Sequence, residues 1–194
     1  MTEKKLTQVV TGVVRFSYVH LMEPYAQVGS GQEPKYQTAI LIPKSDTKTL
    51  EKIKKAQRAA YEEGKGEKLK GLRFEKVKTT LRDGDEESDE HPEYAGNMFM
   101  NVSSKSKPTI LGTQRDADGS LKEITDGEEI YSGMYGRASL NFFAYNSQGN
   151  KGISAGLNNV QKTKDGEVLG GTRTDAQDDF DDWEDDTDDD DFLN

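Results

Sequence analysis

The segment YGRASLNFFAY at positions 135–145 alternates with a period of two. In an extended chain successive side chains point to opposite faces, so Ala138, Leu140, Phe142 and Ala144 share one side. Tyr135, Arg137, Ser139, Asn141, Phe143 and Tyr145 share the other. The first set is an ordinary core face. The second puts aromatic rings, a guanidinium and hydrogen-bonding groups on a wet surface. This is the pattern of a half-buried strand, and it predicts a sheet with one dry side.

The neighbouring sequence extends the sheet. Residues 9–18 (VVTGVVRFSY) and 36–42 (YQTAILI) are β-branched and aromatic runs of strand length. Further strands are expected at 73–82, 98–103 and 153–162, the last continuing as a hairpin that turns at Lys164, Asp165 and Gly166, since Asp-Gly is a strong turn signal. One helix interrupts them. Ser45 or Asp46 caps its start, Leu50, Ile53, Ala56, Ala60 and Tyr61 recur at helical spacing, and Gly64 is placed to end it. One helix among five or more strands with Gly-rich turns predicts a mainly β fold, a closed or nearly closed antiparallel β-barrel.

The face division recurs on two other expected strands. Met98, Met100 and Val102 point one way and Phe99, Asn101 and Ser103 the other, with Lys105 and Lys107 following. In 73–82, Phe74, Lys76, Lys78, Thr80 and Arg82 share a face opposite Val77 and Leu81. Three strands thus each offer a ring beside positive charge. Rings on strands are common because they pack well, and a lysine face is usually a solvated face; repetition on three strands is what favours binding. Unpaired bases stack on aromatic side chains for about 1–3 kcal/mol each whatever their identity, and Lys and Arg neutralise the phosphates between them. The candidate nucleic-acid contacts are therefore Phe74, Lys76, Lys78, Arg82, Phe99, Lys105, Lys107, Tyr135, Arg137, Phe143 and Tyr145.

A net charge of −10 argues against such a ligand until its distribution is considered. Residues 175–194 hold twelve acidic side chains and no Lys or Arg; the remainder has 26 basic residues against 24 acidic. A second cluster, Asp83, Asp85, Glu86, Glu87, Asp89, Glu90 and Glu93, concentrates more of the negative charge. Asymmetry of this kind says more about partners than the total does. The segment 175–194 is too charged and too poor in aliphatic residues to fold alone, so the expected organisation is a domain at 1–174 and a disordered acidic tail at 175–194. Phe180, Trp183, Phe192 and Leu193, with Asp190 and Asp191 beside the last two, make this tail a candidate for docking on other proteins or for occupying the chain's own basic groove.

Catalysis has little support. Cysteine is absent, which suits a reducing compartment, and His20 and His91, the two histidines, lack metal-ligand spacing. Asp116, Asp118 and Gly119 form part of a calcium-loop pattern, but an Asp-Gly turn explains them better. There is neither a Walker-type phosphate loop nor a G-x-S-x-G elbow. A non-enzymatic protein without cofactor or metal is expected. No apolar run has the length of a membrane span or a signal peptide, so no membrane association is expected.

The segments FSYVHLMEP (16–24), AILIPKSD (39–46), LRDGDEESDEHPEYAG (81–96) and above all YSGMYGRASLNFFAYNSQGNKGISAGLNNVQ (131–161) resemble a family of bacteriophage single-stranded DNA-binding proteins. The resemblance implies an OB fold, sequence-independent binding of single strands, and a role in phage DNA replication, recombination or repair in the cytoplasm of the infected bacterial host. Weak binding of duplex DNA is left open by the residues themselves, since a basic groove attracts any phosphate backbone. The resemblance also implies that the tail recruits replication or recombination proteins and tempers DNA binding. A homo-oligomer is compatible with it. Two competing readings are a single-strand annealing recombination protein, which would bind the same ligand in rings or filaments, and an acidic protein-interaction adaptor that does not touch DNA.

Overall fold

The computed structural model describes residues 5–170. Two long strands, β8 (Tyr135–Ser147) and β9 (Asn150–Lys164), form its backbone. They join through a two-residue turn in which Gln148 and Gly149 both take positive φ, 51° and 85°, the conformation that matches the twist of a hairpin. Thirteen registered pairs link them, from Ser147 opposite Asn150 to Tyr135 opposite Lys164. The sheet continues with β1 (Gln8–Val10), β2 (Val14–Tyr25), β3 (Lys35–Pro43), β4 (Arg82–Asp83), β5 (Asn97–Ser104), β6 (Thr109–Arg115) and β7 (Leu121–Glu123).

Five of these strands close on themselves. β2 pairs with β3, β3 with β5, β5 with β9, β9 with β8, and β8 returns to β2. Counted along the chain within the barrel, the strand order is 1-2-3-5-4-1, with the third and fifth parallel. This is an OB-type barrel, antiparallel except where β9 runs beside β5 and β6. Its interior is filled by alternate side chains of every strand, including Phe16, Ile40, Met100, Leu140, Phe142 and Ile153, all essentially inaccessible. Burying a side chain of this size contributes about 1.5–3 kcal/mol. The helix α1 (Thr47–Gly64) lies against β8, β1 and β9 and buries Ile53, Ala56 and Ala60. Asp46 caps it by accepting from the Thr49 N–H at 3.1 Å. Among the described residues no helix is long and apolar enough to cross a membrane.

Three local expectations are corrected. Residues 73–82 do not form a strand: Phe74–Lys76 is a 3-10 turn and only Arg82–Asp83 pairs in the sheet, apart from one bridge between Lys78 and Gly152. The alternation there is genuine, with Val77 buried and Leu81 half-buried, but a ladder needs a free edge. The β9 edge beyond Gly152 is taken by Ser103 of β5 and then by β6. Nor does Lys164-Asp165-Gly166 turn a hairpin. After β9 the chain folds back over Gly133, with Leu169 N–H donating to the Ser132 carbonyl at 2.8 Å and Arg15 Nη2 to the Glu167 carbonyl at 2.8 Å. Finally, β6 and β7 form a hairpin that none of the expected strands includes. Its turn is the Asp-Gly turn expected at 116–119, with Gly119 at φ 85° and its N–H bonded to the Asp116 carbonyl.

Candidate nucleic-acid interface

The outer faces of β2, β3 and β5 adjoin. Leu41, Ala39 and Gln37 of β3 stand opposite Phe99, Asn101 and Ser103 of β5 on one side, and opposite Arg15, Ser17 and His20 of β2 on the other. Between Ser17 and His20 the β2 register slips. Tyr18, at φ 49°, is the swollen point of this bulge and is 53% exposed. A bulge re-aims a side chain that regular pleating would have placed elsewhere. Here it lifts a phenol over the sheet.

The bulge opens onto a groove of about 400 Å³ lined by Tyr18, His20, Tyr25, His91, Tyr94 and Phe99, with Gln37, Ala39 and Asn101 on its floor. The rings form two groups, a stacked pair and a series of four. His20 and Tyr25 stack at 4.2 Å, Tyr18 meets His91 edge-on at 5.6 Å, and Tyr94 links His91 at 5.1 Å to Phe99 at 4.8 Å. Tyr18 Oη and His91 Nδ1 share a hydrogen bond at 3.2 Å. Burial holds the His20 imidazole below its ordinary value, so at neutral pH it presents an uncharged ring. Burial also pushes the Tyr94 phenol up to about 12. The groove's Arg82 pairs with its Glu87, leaving it close to electrically neutral.

The loop that carries the acidic cluster supplies one wall of this groove through Glu87, His91 and Tyr94, and the cluster's other carboxylates lie outside the lining. Lys44 bridges Asp83 at 2.7 Å and Asp85 at 2.5 Å. The Lys44 ammonium holds Asp83 below the usual carboxylate range, and the Gly96 N–H, then Lys44, do the same for Asp85. These bonds pin the loop so that His91 and Tyr94 reach the sheet.

The candidates named from sequence are distributed unevenly. Phe143, 44% exposed, and Tyr145 stand together on the outer face of β8, their rings leaning over Gly156 and Gly152 of β9. Lys78 adjoins them through its bridge to Gly152. Tyr135 shares their face but lies eight residues away, roughly 27 Å along an antiparallel strand. Its ring is flanked by Arg15 at 5.3 Å and Lys164 at 4.5 Å and is backed by Gly166. Arg137 is exposed, with Nε tied to the Thr11 carbonyl at 3.0 Å.

Two rings are not where a three-strand platform requires them. Phe99 points outward as expected but is 3% exposed, covered by Tyr94 and by the Arg82 guanidinium at 4.9 Å. Phe74, expected on a strand, packs against Tyr61 and Arg58 of α1 instead. Lys76 and Lys107 are exposed, and Lys105 pairs with Glu33 at 3.3 Å. Phe180, Trp183, Asp190, Asp191, Phe192 and Leu193 lie outside the described residues. The side-by-side platform of Phe74, Phe99, Tyr135 and Phe143 is therefore corrected to two ring sites, the groove at β2 and the Phe143–Tyr145 pair on β8.

A single register row joins the two sites. Asn141 of β8 lies opposite Gly156 of β9, Gly156 opposite Ser103 of β5, Ser103 opposite Gln37 of β3, and Gln37 opposite His20 of β2. Four inter-strand steps span roughly 19 Å. Small or polar side chains fill the middle, and rings stand near both ends.

The chain matches known proteins over most of its length. The family model described as the ssDNA-binding protein of Enterobacter phage Enc34 matches residues 7–193. The chain belongs to this family. Protein p50 of Acyrthosiphon pisum secondary endosymbiont phage 1 is 36% identical over 178 residues, covering 87% of this chain and 90% of p50. Among solved structures, the single-stranded DNA-binding protein of bacteriophage Enc34 in complex with ssDNA superimposes with a TM-score of 0.70 at 27% identity, over 86% of this chain and 91% of that one. The bacteriophage T7 single-stranded DNA-binding protein gp2.5 reaches a TM-score of 0.57 at 14% identity, over 90% of this chain and 97% of that one, a likeness of fold alone. The Enc34 family model and these two solved structures describe binding proteins rather than enzymes.

His20 and His91 carry no metal pattern, so a search of the sequence for metal ligands passes over both. Tyr18 and Tyr25 lie at a bulge and at a strand end, where alternation gives no signal. The sequence traces of this groove are the alternation that turns Phe99 and Asn101 outward and the density of His and Tyr in 16–25 and 91–94.

Proposed function

We propose that this chain binds single-stranded DNA without regard to sequence, along the register row from the Tyr18–His20–Tyr25 groove across Gln37, Ser103 and Gly156 to Phe143 and Tyr145. The observation that carries this reading is the row itself: exposed rings near either end of a floor low enough for a nucleotide backbone to lie across. Stacking is indifferent to base identity, which suits a protein that coats whatever strand is exposed. The related Enc34 protein in complex with ssDNA supports the same ligand class.

The biological setting proposed is phage DNA replication, recombination or repair in the cytoplasm of the infected host. Residues 175–194 are proposed to recruit replication or recombination proteins through Phe180, Trp183 and the Asp190, Asp191, Phe192, Leu193 tip, and to moderate DNA binding. In support of the second role, Gly170, the last described residue, lines a cavity with Tyr18 and His20, two residues that also line the groove.

Fluorescence-anisotropy titrations with labelled single- and double-stranded oligonucleotides, over a salt series, test this on the full chain and on a chain ending at 174. The expected result is micromolar or tighter binding of oligothymidylate, weaker binding of duplex, and tightening when 175–194 are removed. Absence of single-strand binding by the shortened chain at low salt overturns the proposal.

A further inference from the structure

The cations of this chain are concentrated where its exposed rings are not. Positions 47–78 hold eleven Lys and Arg against five carboxylates, and all eleven cations are exposed. Ring and guanidinium packing makes the helix and the segment after it one surface. The Arg58 guanidinium lies 4.7 Å from the Phe74 ring centre and 5.4 Å from that of Tyr61, and the two rings meet edge-on at 5.3 Å. Two hydrogen bonds fasten this surface to the tip of the β8–β9 hairpin. Asn146 Nδ2 donates to the Lys68 carbonyl at 3.1 Å, and the Ile153 N–H donates to the Lys78 carbonyl at 2.8 Å. On the outer face of that tip stand Phe143 and Tyr145. The basic surface begins where the ring-lined row ends.

We infer that a single strand lying on the row continues past Tyr145 onto residues 65–78 and the adjoining flank of α1, so that the binding site has two chemically different parts. This rests on the single-strand reading above and extends it. In the first part bases stack on rings in an electrically neutral groove. In the second, phosphates lie against Lys54, Lys68, Lys70 and Arg73, none of which the alternation of the strands could single out. A net excess of six positive charges on one face repels itself, and a polyanion relieves that repulsion. The carboxylates of 175–191 from another copy have the same sign of charge as a nucleic acid. Continuity with Phe143 and Tyr145 favours the DNA strand.

The two parts predict different salt behaviour. Stacking responds weakly to salt, whereas each phosphate neutralised on a single strand adds about 0.7 to the slope of log affinity against log salt concentration. The experiment measures full-length chain against oligothymidylates of about 6 and about 16 nucleotides, within the range of sites on OB folds. The comparison is with a variant carrying Lys54→Gln, Lys68→Gln, Lys70→Gln and Arg73→Gln. The short oligomer is expected to bind both proteins alike, which also reports that the variant is folded. The long oligomer is expected to bind the variant about tenfold or more weakly at about 0.1 M salt, with a slope lowered by about 0.7 for each phosphate no longer neutralised. Binding of the short oligomer with undiminished affinity for the long one overturns the inference while leaving the single-strand reading intact. Failure of the unmodified chain to bind either oligomer overturns the reading itself. A variant that keeps its long-oligomer affinity but loses low-salt self-association in sedimentation assigns the face to the carboxylates of another copy, and likewise overturns the inference.

Discussion

The groove over β2, β3 and β5 and the outer surface of α1 with residues 65–78 are built from opposite materials. The groove carries five tyrosine and histidine rings whose one cation, Arg82, is cancelled by Glu87. The helical surface carries eleven exposed cations, and the two rings associated with it, Tyr61 and Phe74, are half-buried. A nucleic-acid strand has two faces as well, flat bases and charged phosphates, and a surface that separates rings from cations can address them in turn. At the β8–β9 tip the ring-lined row and the basic surface adjoin, where Lys78 lies against Gly152 beneath Tyr145. The difference also implies that affinity and salt dependence are set by different parts of the molecule.

The most drastic way to break the comparison is to remove what both regions stand on. Phe142 is buried in the barrel beneath the outer face that carries Phe143. Phe142→Ala is expected to cost about 3–5 kcal/mol of stability, read as a lowered urea midpoint, with both regions losing function together. Next in size are the rings themselves. Tyr18→Ala and Phe143→Ala are each expected to weaken oligothymidylate binding by about 1–3 kcal/mol, with the salt slope unchanged, because stacking is removed while the phosphates stay neutralised. A change in slope would show that the rings act by placing cations.

A finer test uses the glycines under the β8 rings. A Cβ at Gly152 would stand 2.8 Å from the Lys78 carbonyl oxygen and 2.7 Å from Tyr145 Oη, whereas at Gly156 its nearest neighbours are at 3.5 Å. Gly152→Ala is therefore expected to disturb the junction of the two regions and weaken binding several-fold, and Gly156→Ala, whose methyl fits its surroundings but raises the floor of the row, to weaken it less. Equal effects would deny the junction any special role.

The smallest effect expected is that of pH. Burial lowers the His20 pKa below its unfolded value, so the unfolded chain takes up its proton first as pH falls. Stability from the neutral ring is thus complete above about 6.5 and declines as pH falls below it toward the folded value. His20→Gln is expected to flatten the fall in urea midpoint between pH 7 and pH 5.

Much of the barrel was legible because alternation is a local property. Residues 135–145 and 98–103 sort into inner and outer faces as the period of two requires, 36–42 is a strand as its β-branched and aromatic run suggests, and Asp46 begins the helix as a cap should. What misled was the same rule carried beyond its reach. Residues 73–82 alternate but have almost no edge to pair with, and Phe99 points outward yet is roofed by Tyr94 from a loop 83–96 that alternation does not describe. The pairing of β9 with β5 and β6 joins segments about fifty residues apart and leaves no mark in either.

The sequence by itself determined which side chains face the barrel's interior, where the helix begins, and that negative charge is segregated from a basic body, since each depends on residues near in the chain. Only the tertiary structure decided which outward rings are open. Exposure depends on what crosses overhead, and here that is set by the Lys44 ion pairs holding the acidic loop, the bulge at Tyr18 and the closure of five strands into one barrel.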